Sequence, residues 1–229
     1  MNNNIQRCIL YHGSEFRIEH PTFGLGKVHN DFGLGFYCTL EEKMAMEWAV
    51  NERHDGFANA YSFEADGLQV LDLTRRPYTT LHWLSMLLEN RVFDLRGDLL
   101  VSAREYLLRN FKVDDTAADV IVGFRADDNY FSFARAFLEG ALSYERLCRV
   151  LKLGELGLQV VIRSRRAFDR LQFRGAACAT RAEFLKVRLD REQGAREDYA
   201  RLSKGGFDPS ALYMVNIMQQ GVKADDPRL

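Results

Sequence analysis

Asp31-Phe32-Gly33-Leu34-Gly35-Phe36-Tyr37-Cys38-Thr39 sets two glycines ahead of an aromatic pair, and the run that follows it has helical periodicity. Glycine adopts backbone conformations closed to other residues, so this stretch reads as a loop that delivers Phe36 and Tyr37 just before a helix. Thr39 with Glu42 three residues on has the capping-box spacing, which places the helix start there. Met44, Ala45, Trp48 and Ala49 form one apolar stripe, and Glu41, Lys43, Glu47 and Arg53 fall mostly elsewhere. Upstream, residues 5–11 (IQRCILY) read as an opening strand that runs into His12-Gly13-Ser14. Downstream, strands are expected at 58–63 and 68–73 around Asp66-Gly67, and helical pattern fills 79–111. A buried strand at 119–124 precedes helical pattern over 131–151, with Ser143 as a cap. A second buried strand lies at 158–162, with one more at 171–173. Residues 180–202 are charged and helix-prone, and Asp208-Pro209 is expected to open a last helix bearing Leu212, Met214, Val215, Ile217 and Met218. Strands and helices do not alternate regularly, so the class is α+β rather than doubly wound. The soft boundary divides a domain over 5–175 from a helical extension over 176–229 packed on it.

The chain has 229 residues, with 31 Lys and Arg against 32 Asp and Glu, so no global field recruits nucleic acid or a membrane surface. No apolar run approaches the about 18 residues of a membrane span, and the start MNNNIQRCIL has no secretory pattern. Cys8, Cys38, Cys148 and Cys178 are scattered without a CxxC pair, which reads as reduced thiols in a cytoplasmic protein and favours no metal site.

There is no phosphate-binding P-loop, no HExxH and no GxSxG elbow, and Gly33-Leu34-Gly35 lacks the third glycine of a dinucleotide fingerprint. What remains is Tyr11-His12-Gly13-Ser14 together with Phe32-Gly33-Leu34-Gly35-Phe36-Tyr37. The first puts an imidazole beside a backbone with no Cβ, where a ligand can reach N–H and C=O. The second offers aromatic faces at a flexible turn, which suits a flat heteroaromatic ligand. The alternative is a glycine turn feeding a core Phe-Tyr pair.

HG followed by FGxGFY and a helix resembles the NAD-binding core of ADP-ribosyltransferases of the diphtheria-toxin and poly(ADP-ribose) polymerase type. The closer resemblance is to the bacterial domain-of-unknown-function family 3990, grouped with that superfamily. It is carried by LYHGS at 10–14, DFGLGFYCT at 31–39, Trp48-Ala49, Asn59-Ala60-Tyr61, the segment 119–129, and 159–173, so it spans about 9–174. The resemblance implies a split antiparallel sheet core with peripheral helices and NAD+ as co-substrate. It implies that His12 bonds a ribose hydroxyl, Gly13 holds the nicotinamide amide through its backbone, and Tyr37 stacks on the ring. Ser14, Phe32, Gly33, Gly35, Phe36, Thr39 and Asn129 complete the expected binding set, and Gln159 stands where the superfamily usually has Glu.

An amide carries neither charge nor base, so the catalytic role at that position either needs none or is supplied by a nearby carboxylate. Asp127 and Asp128 with Asn129 are the candidates, Asp128 foremost, with Glu155 behind; a solvated turn capping the next helix explains the first three equally. Asn30-Asp31 either shapes the ligand loop or forms a turn. His20, His29, His54 and His82 lack ligand spacing and read as surface or packing residues. Arg163, Arg165, Arg166, Arg170 and Arg174 read as a solvated face or as a surface for nucleic acid. The Leu212–Met218 stripe packs on the core or binds a partner. The expected function is ADP-ribosyl transfer to a macromolecule, protein or nucleic acid, by a toxin or defence effector restrained by an antitoxin protein. The alternatives are an NAD+ glycohydrolase and a non-catalytic NAD-binding module.

Overall fold

A computed structural model of the chain describes residues 5–92, 96–126, 128–151, 157–203, 206 and 208–229, with the side chains of 128–131, 198 and 202–203 outside that description. The described residues form strands β1 (Arg7–Ser14), β2 (Phe36–Cys38), β3 (Gly56–Glu64), β4 (Val70–Asp72), β5 (Val120–Phe124), β6 (Leu158–Ile162) and β7 (Gln172–Ala179). The helices are α1 (Glu42–Ala49), α2 (Thr80–Asn90), α3 (Asp98–Asn110), α4 (Asp128–Leu138), α5 (Tyr144–Val150), α6 (Arg165–Phe168), α7 (Arg181–Ser203) and α8 (Met214–Gln219).

Two sheets make up the mixed α+β core. One has the order β1-β3-β7 and the other β2-β6-β5-β4. The expected all-antiparallel sheet is corrected at one edge, where β4 pairs with β5 in parallel. The helices α2 and α3 lie between those strands in sequence, and a crossover of that length is what parallel pairing requires. Among the described residues one β-bridge joins the two sheets, where Tyr11 N–H donates to Thr39 O at 2.8 Å and Thr39 N–H donates to Tyr11 O at 2.9 Å.

Between the sheets, Leu10, Cys38, Phe63, Val120, Val122, Val160 and Ile162 form one apolar layer. The other face of the second sheet is covered by α2, α3, α4, α5 and α8 around Trp83, Leu84, Leu87, Phe111 and Phe137. Leu212, Met214 and Ile217 are buried in that cluster, which settles the C-terminal stripe as core. Helix α1 lies against β1 and β3 so closely that a Cβ on Gly13 would stand 2.2 Å from Ala45 O, and one on Gly56 would stand 2.3 Å from Ala49 O.

Several local expectations shift. Helix α1 starts at Glu42 behind Glu41 rather than Thr39, whose Oγ1 instead accepts from Glu41 N–H at 3.3 Å. Glu47, placed off the apolar stripe, is buried beneath α7 and paired with Arg191. Asp208 closes a turn onto Ser210 N–H and Oγ, and the last helix begins at Met214 behind Tyr213. Ser143 caps α5 as expected, accepting from Arg146 N–H. The boundary placed between 175 and 176 falls inside β7, so residues beyond it complete the first sheet.

Candidate functional site

β1, β2 and β6 bring their chemistry to one place. The β2 pairing sets Tyr37 opposite Val161, and β1 reaches β2 through the Tyr11–Thr39 bridge. As a result His12, Gly13, Gly35, Phe36, Tyr37 and Gln159 all line a single cleft of about 960 Å³, at the upper end of small-molecule sites, which run to roughly 1,000 Å³.

The His12 imidazole stacks on Phe36 with ring centroids 4.4 Å apart. Its Nδ1 lies 2.7 Å from Tyr37 O, an acceptor only, so Nδ1 carries the proton and Nε2 is left as an acceptor. Burial pushes the His12 pKa below its ordinary value, with the Tyr37 carbonyl opposing. The Tyr37 hydroxyl accepts from Phe32 N–H at 3.0 Å and donates to Gly33 O at 2.7 Å, which pins the glycine turn against the β2 strand. Burial pushes that phenol far up, so it stays neutral. Gly33 sits at φ +72°, a left-handed position that favours glycine.

Other expected residues serve the frame rather than the cleft wall. Phe32 is buried against Gly123, where a Cβ would meet its ring at 2.5 Å. Ser14 Oγ accepts from Phe16 N–H, and Thr39 is buried behind β1. Gly13 lines the cleft and also serves the frame, since its missing Cβ accommodates α1. Asp128 and Asn129 lie in the first turn of α4 with side chains outside the described residues, and Asp127 and Glu155 are themselves outside them.

Asp31, read from sequence only as a loop-shaping or turn residue, has partners that the sequence did not indicate. It is buried in the cleft, where Oδ1 accepts from Arg91 at 2.6 Å and Oδ2 accepts from Ala126 N–H at 2.9 Å and from Gln159 Nε2 at 3.1 Å. Burial raises its pKa, opposed by Ala126 N–H and then by Arg91. Its partners come from the end of α2, the end of β5 and β6, and the only local signal is an acid placed directly before the glycine-aromatic run. Gln159 is buried, and its Oε1 has no hydrogen-bond partner among the described residues.

The rest of the wall is basic. Lys27, Arg91, Arg125, Arg163, Arg188 and Arg196 line it against the carboxylates of Asp31 and Glu192. Arg125 lies over the Trp48 ring, 4.6 Å from its centroid. Arg188, Glu192 and Arg196 come from α7. Loop residues from Ile18 to Lys27 cover the other side. That loop is anchored by Asn59, whose Oδ1 accepts from Ile18 N–H at 2.7 Å and whose Nδ2 donates to Phe16 O at 3.0 Å. Tyr61 donates to Ile18 O at 2.5 Å, which gives the Asn59-Ala60-Tyr61 pattern its structural reason.

Each arginine of the cluster beyond β6 has a partner within the fold. Arg163 pairs with Asp115, Arg165 with Asp169 and Arg166 with Asp119, while Arg170 donates to Asp66 O and Arg174 to Ser62.

These features define a mixed α+β protein with one large basic, aromatic-lined cleft at the junction of two sheets. The family described as "Protein of unknown function (DUF3990)" matches residues 8–173, and the chain belongs to it. No curated protein and no solved structure matches the chain. Among the described residues no helix is long and apolar enough to cross a membrane.

Proposed function

We propose that the chain is an NAD+-dependent ADP-ribosyltransferase that modifies a macromolecule. The observation that carries this reading is the convergence of His12, Gly13, Tyr37 and Gln159, from three strands distant in sequence, on one cleft. An excess of basic over acidic lining residues suits a pyrophosphate, and the aromatic side chains of Phe36 and Tyr37 are part of the lining. The buried Gln159 Oε1 lacks a donor that a ribose hydroxyl would supply.

In this reading His12 Nε2 accepts from one ribose hydroxyl, and Tyr37 holds the glycine turn while its ring flanks the nicotinamide. Breaking the nicotinamide–ribose bond passes through an oxocarbenium-like state and needs no strong enzyme nucleophile. Holding the ribose and leaving group in a dry, fixed geometry is then the main source of rate. The role of a toxin or defence effector with an antitoxin protein as partner is what the family context suggests, and a cytoplasmic location is what the scattered cysteines suggest.

The test is incubation of the purified chain and its Tyr37→Ala variant with labelled NAD+ and a bacterial lysate, followed by protease or nuclease. Tyr37-dependent label on a macromolecule supports the transferase, and the digesting enzyme names the acceptor class. Free ADP-ribose without label supports the glycohydrolase, in which water is the acceptor. Binding without turnover leaves a non-catalytic module, and neither binding nor turnover overturns all three.

A further inference from the structure

Gln159 and Asp31 form a pair with a fixed sense. A carboxylate can only accept, so the atom of the Gln159 amide that faces Asp31 Oδ2 at 3.1 Å is the nitrogen. Asp31 is in turn held by donors on both oxygens, Arg91 on Oδ1 and Ala126 N–H on Oδ2. The amide therefore has one orientation, and the atom left over is Oε1, buried and without a partner among the described residues. A buried acceptor without a donor is costly, because it has lost its water and gained nothing in exchange. Such a cost at a cleft-lining residue points to a donor that arrives with a ligand.

We propose that Asp31 is a positioning residue. By binding the Gln159 nitrogen it holds Oε1 as a fixed hydrogen-bond acceptor for a ribose hydroxyl of the bound dinucleotide. The inference rests on the NAD+ reading above. It assigns Gln159 the accepting half of what a carboxylate does and none of the proton-taking half. Asp31 supplies the orientation that an amide, unlike a symmetric carboxylate, must be given.

The experiment compares wild type, Asp31→Asn, Gln159→Leu and the double variant for kcat and KM of NAD+ consumption. The expected result is a loss in kcat of about 10- to 100-fold in each single variant, as misplacement of a contacting group produces. KM stays within a few-fold, and the double variant is no worse than Gln159→Leu alone, because Asp31 acts through Gln159. Additive losses, an Asp31→Asn enzyme with wild-type kcat, or an effect confined to KM would overturn the inference while leaving NAD+ turnover by wild type intact. Wild-type protein that neither binds nor consumes NAD+ overturns the functional reading itself. If Asp31→Asn does not fold, Gln159→Glu carries the test. Two carboxyls at this distance share a proton, so its kcat rises as pH falls, relative to wild type over the same range. A kcat that is flat or rises with pH overturns the pairing.

Discussion

The imidazole of His12 and the main chain of Tyr37 are joined by a 2.7 Å hydrogen bond from Nδ1–H to the carbonyl oxygen. This bond links β1 to β2 one residue beyond the Tyr11–Thr39 bridge and fixes the tautomer. Long-range proton–nitrogen NMR should find Nδ1 protonated and Nε2 bare in the free protein at pH 7. The ring should titrate below the ordinary histidine value, since burial disfavours its charged form. An Nε2–H tautomer would remove His12 as an acceptor toward the ligand.

Tyr37 holds the turn through its hydroxyl and flanks the cleft with its ring, and two substitutions separate the roles. Tyr37→Phe leaves Phe32 N–H and Gly33 O without their partner, which should cost about 1–3 kcal/mol in urea denaturation. It should keep measurable NAD+ affinity by calorimetry, whereas Tyr37→Ala abolishes it. Equal affinities for the two variants would place the ring outside the binding site.

Gly13→Ala puts a methyl group against Ala45 O and Trp48 Cβ, at 2.2 and 2.9 Å. Backbone oxygen cannot yield as a side chain can, so α1 must shift. Destabilisation of about 1–3 kcal/mol is expected, with a changed Trp48 fluorescence because Trp48 moves relative to Arg125. A variant as stable as wild type would show that α1 packs more loosely on β1.

His82 gives the fold an acid limit. It is buried, its Nδ1 accepts from Thr79 N–H at 3.0 Å, and burial lowers its pKa. A histidine whose folded pKa lies below its unfolded value binds fewer protons when folded, as does His12. Stability is therefore complete above the unfolded pKa of about 6.5 and lost as pH falls below it toward the folded value. Melting temperatures measured from pH 8 to 5 should drop on the acid side, and His82→Gln should flatten part of the slope. An unchanged slope in that variant would assign the acid limit to other groups.

Arg191 of α7 neutralises Glu47 of α1, whose other oxygen has no partner among the described residues. Removing one member of a buried pair strands the other, at about 3–5 kcal/mol. Arg191→Met should thus destabilise more than Glu47→Gln, which removes the charge and keeps an acceptor. Equal losses by chemical denaturation would mean that Glu47 is hydrated once α7 loses its arginine.

The strands at 119–124 and 158–162 could be read from sequence because short apolar runs between polar turns have few alternative fates, and β5 and β6 occupy almost those spans. Ends were less legible. Thr39 has the residue type of a cap, but its main chain is committed to Tyr11 and its hydroxyl to Glu41, so α1 starts without it. The cleft members His12, Tyr37 and Gln159 were visible as residue types in a familiar order. Asp31 was legible only as a loop or turn residue, because its role lies in partners brought in by other elements, Arg91 and Gln159 standing 60 and 128 residues away. Glu47 was misplaced for the same reason, its partner lying 144 residues on.

The family match ends at residue 173, while Arg188, Glu192 and Arg196 in the cleft wall belong to α7. The lining of the cleft thus draws on the matched segment and on a helix beyond it. A substitution at Arg188 or Arg196 alters the charge of the cleft wall from outside the matched segment, so selectivity can be retuned without changing His12, Tyr37 or Gln159.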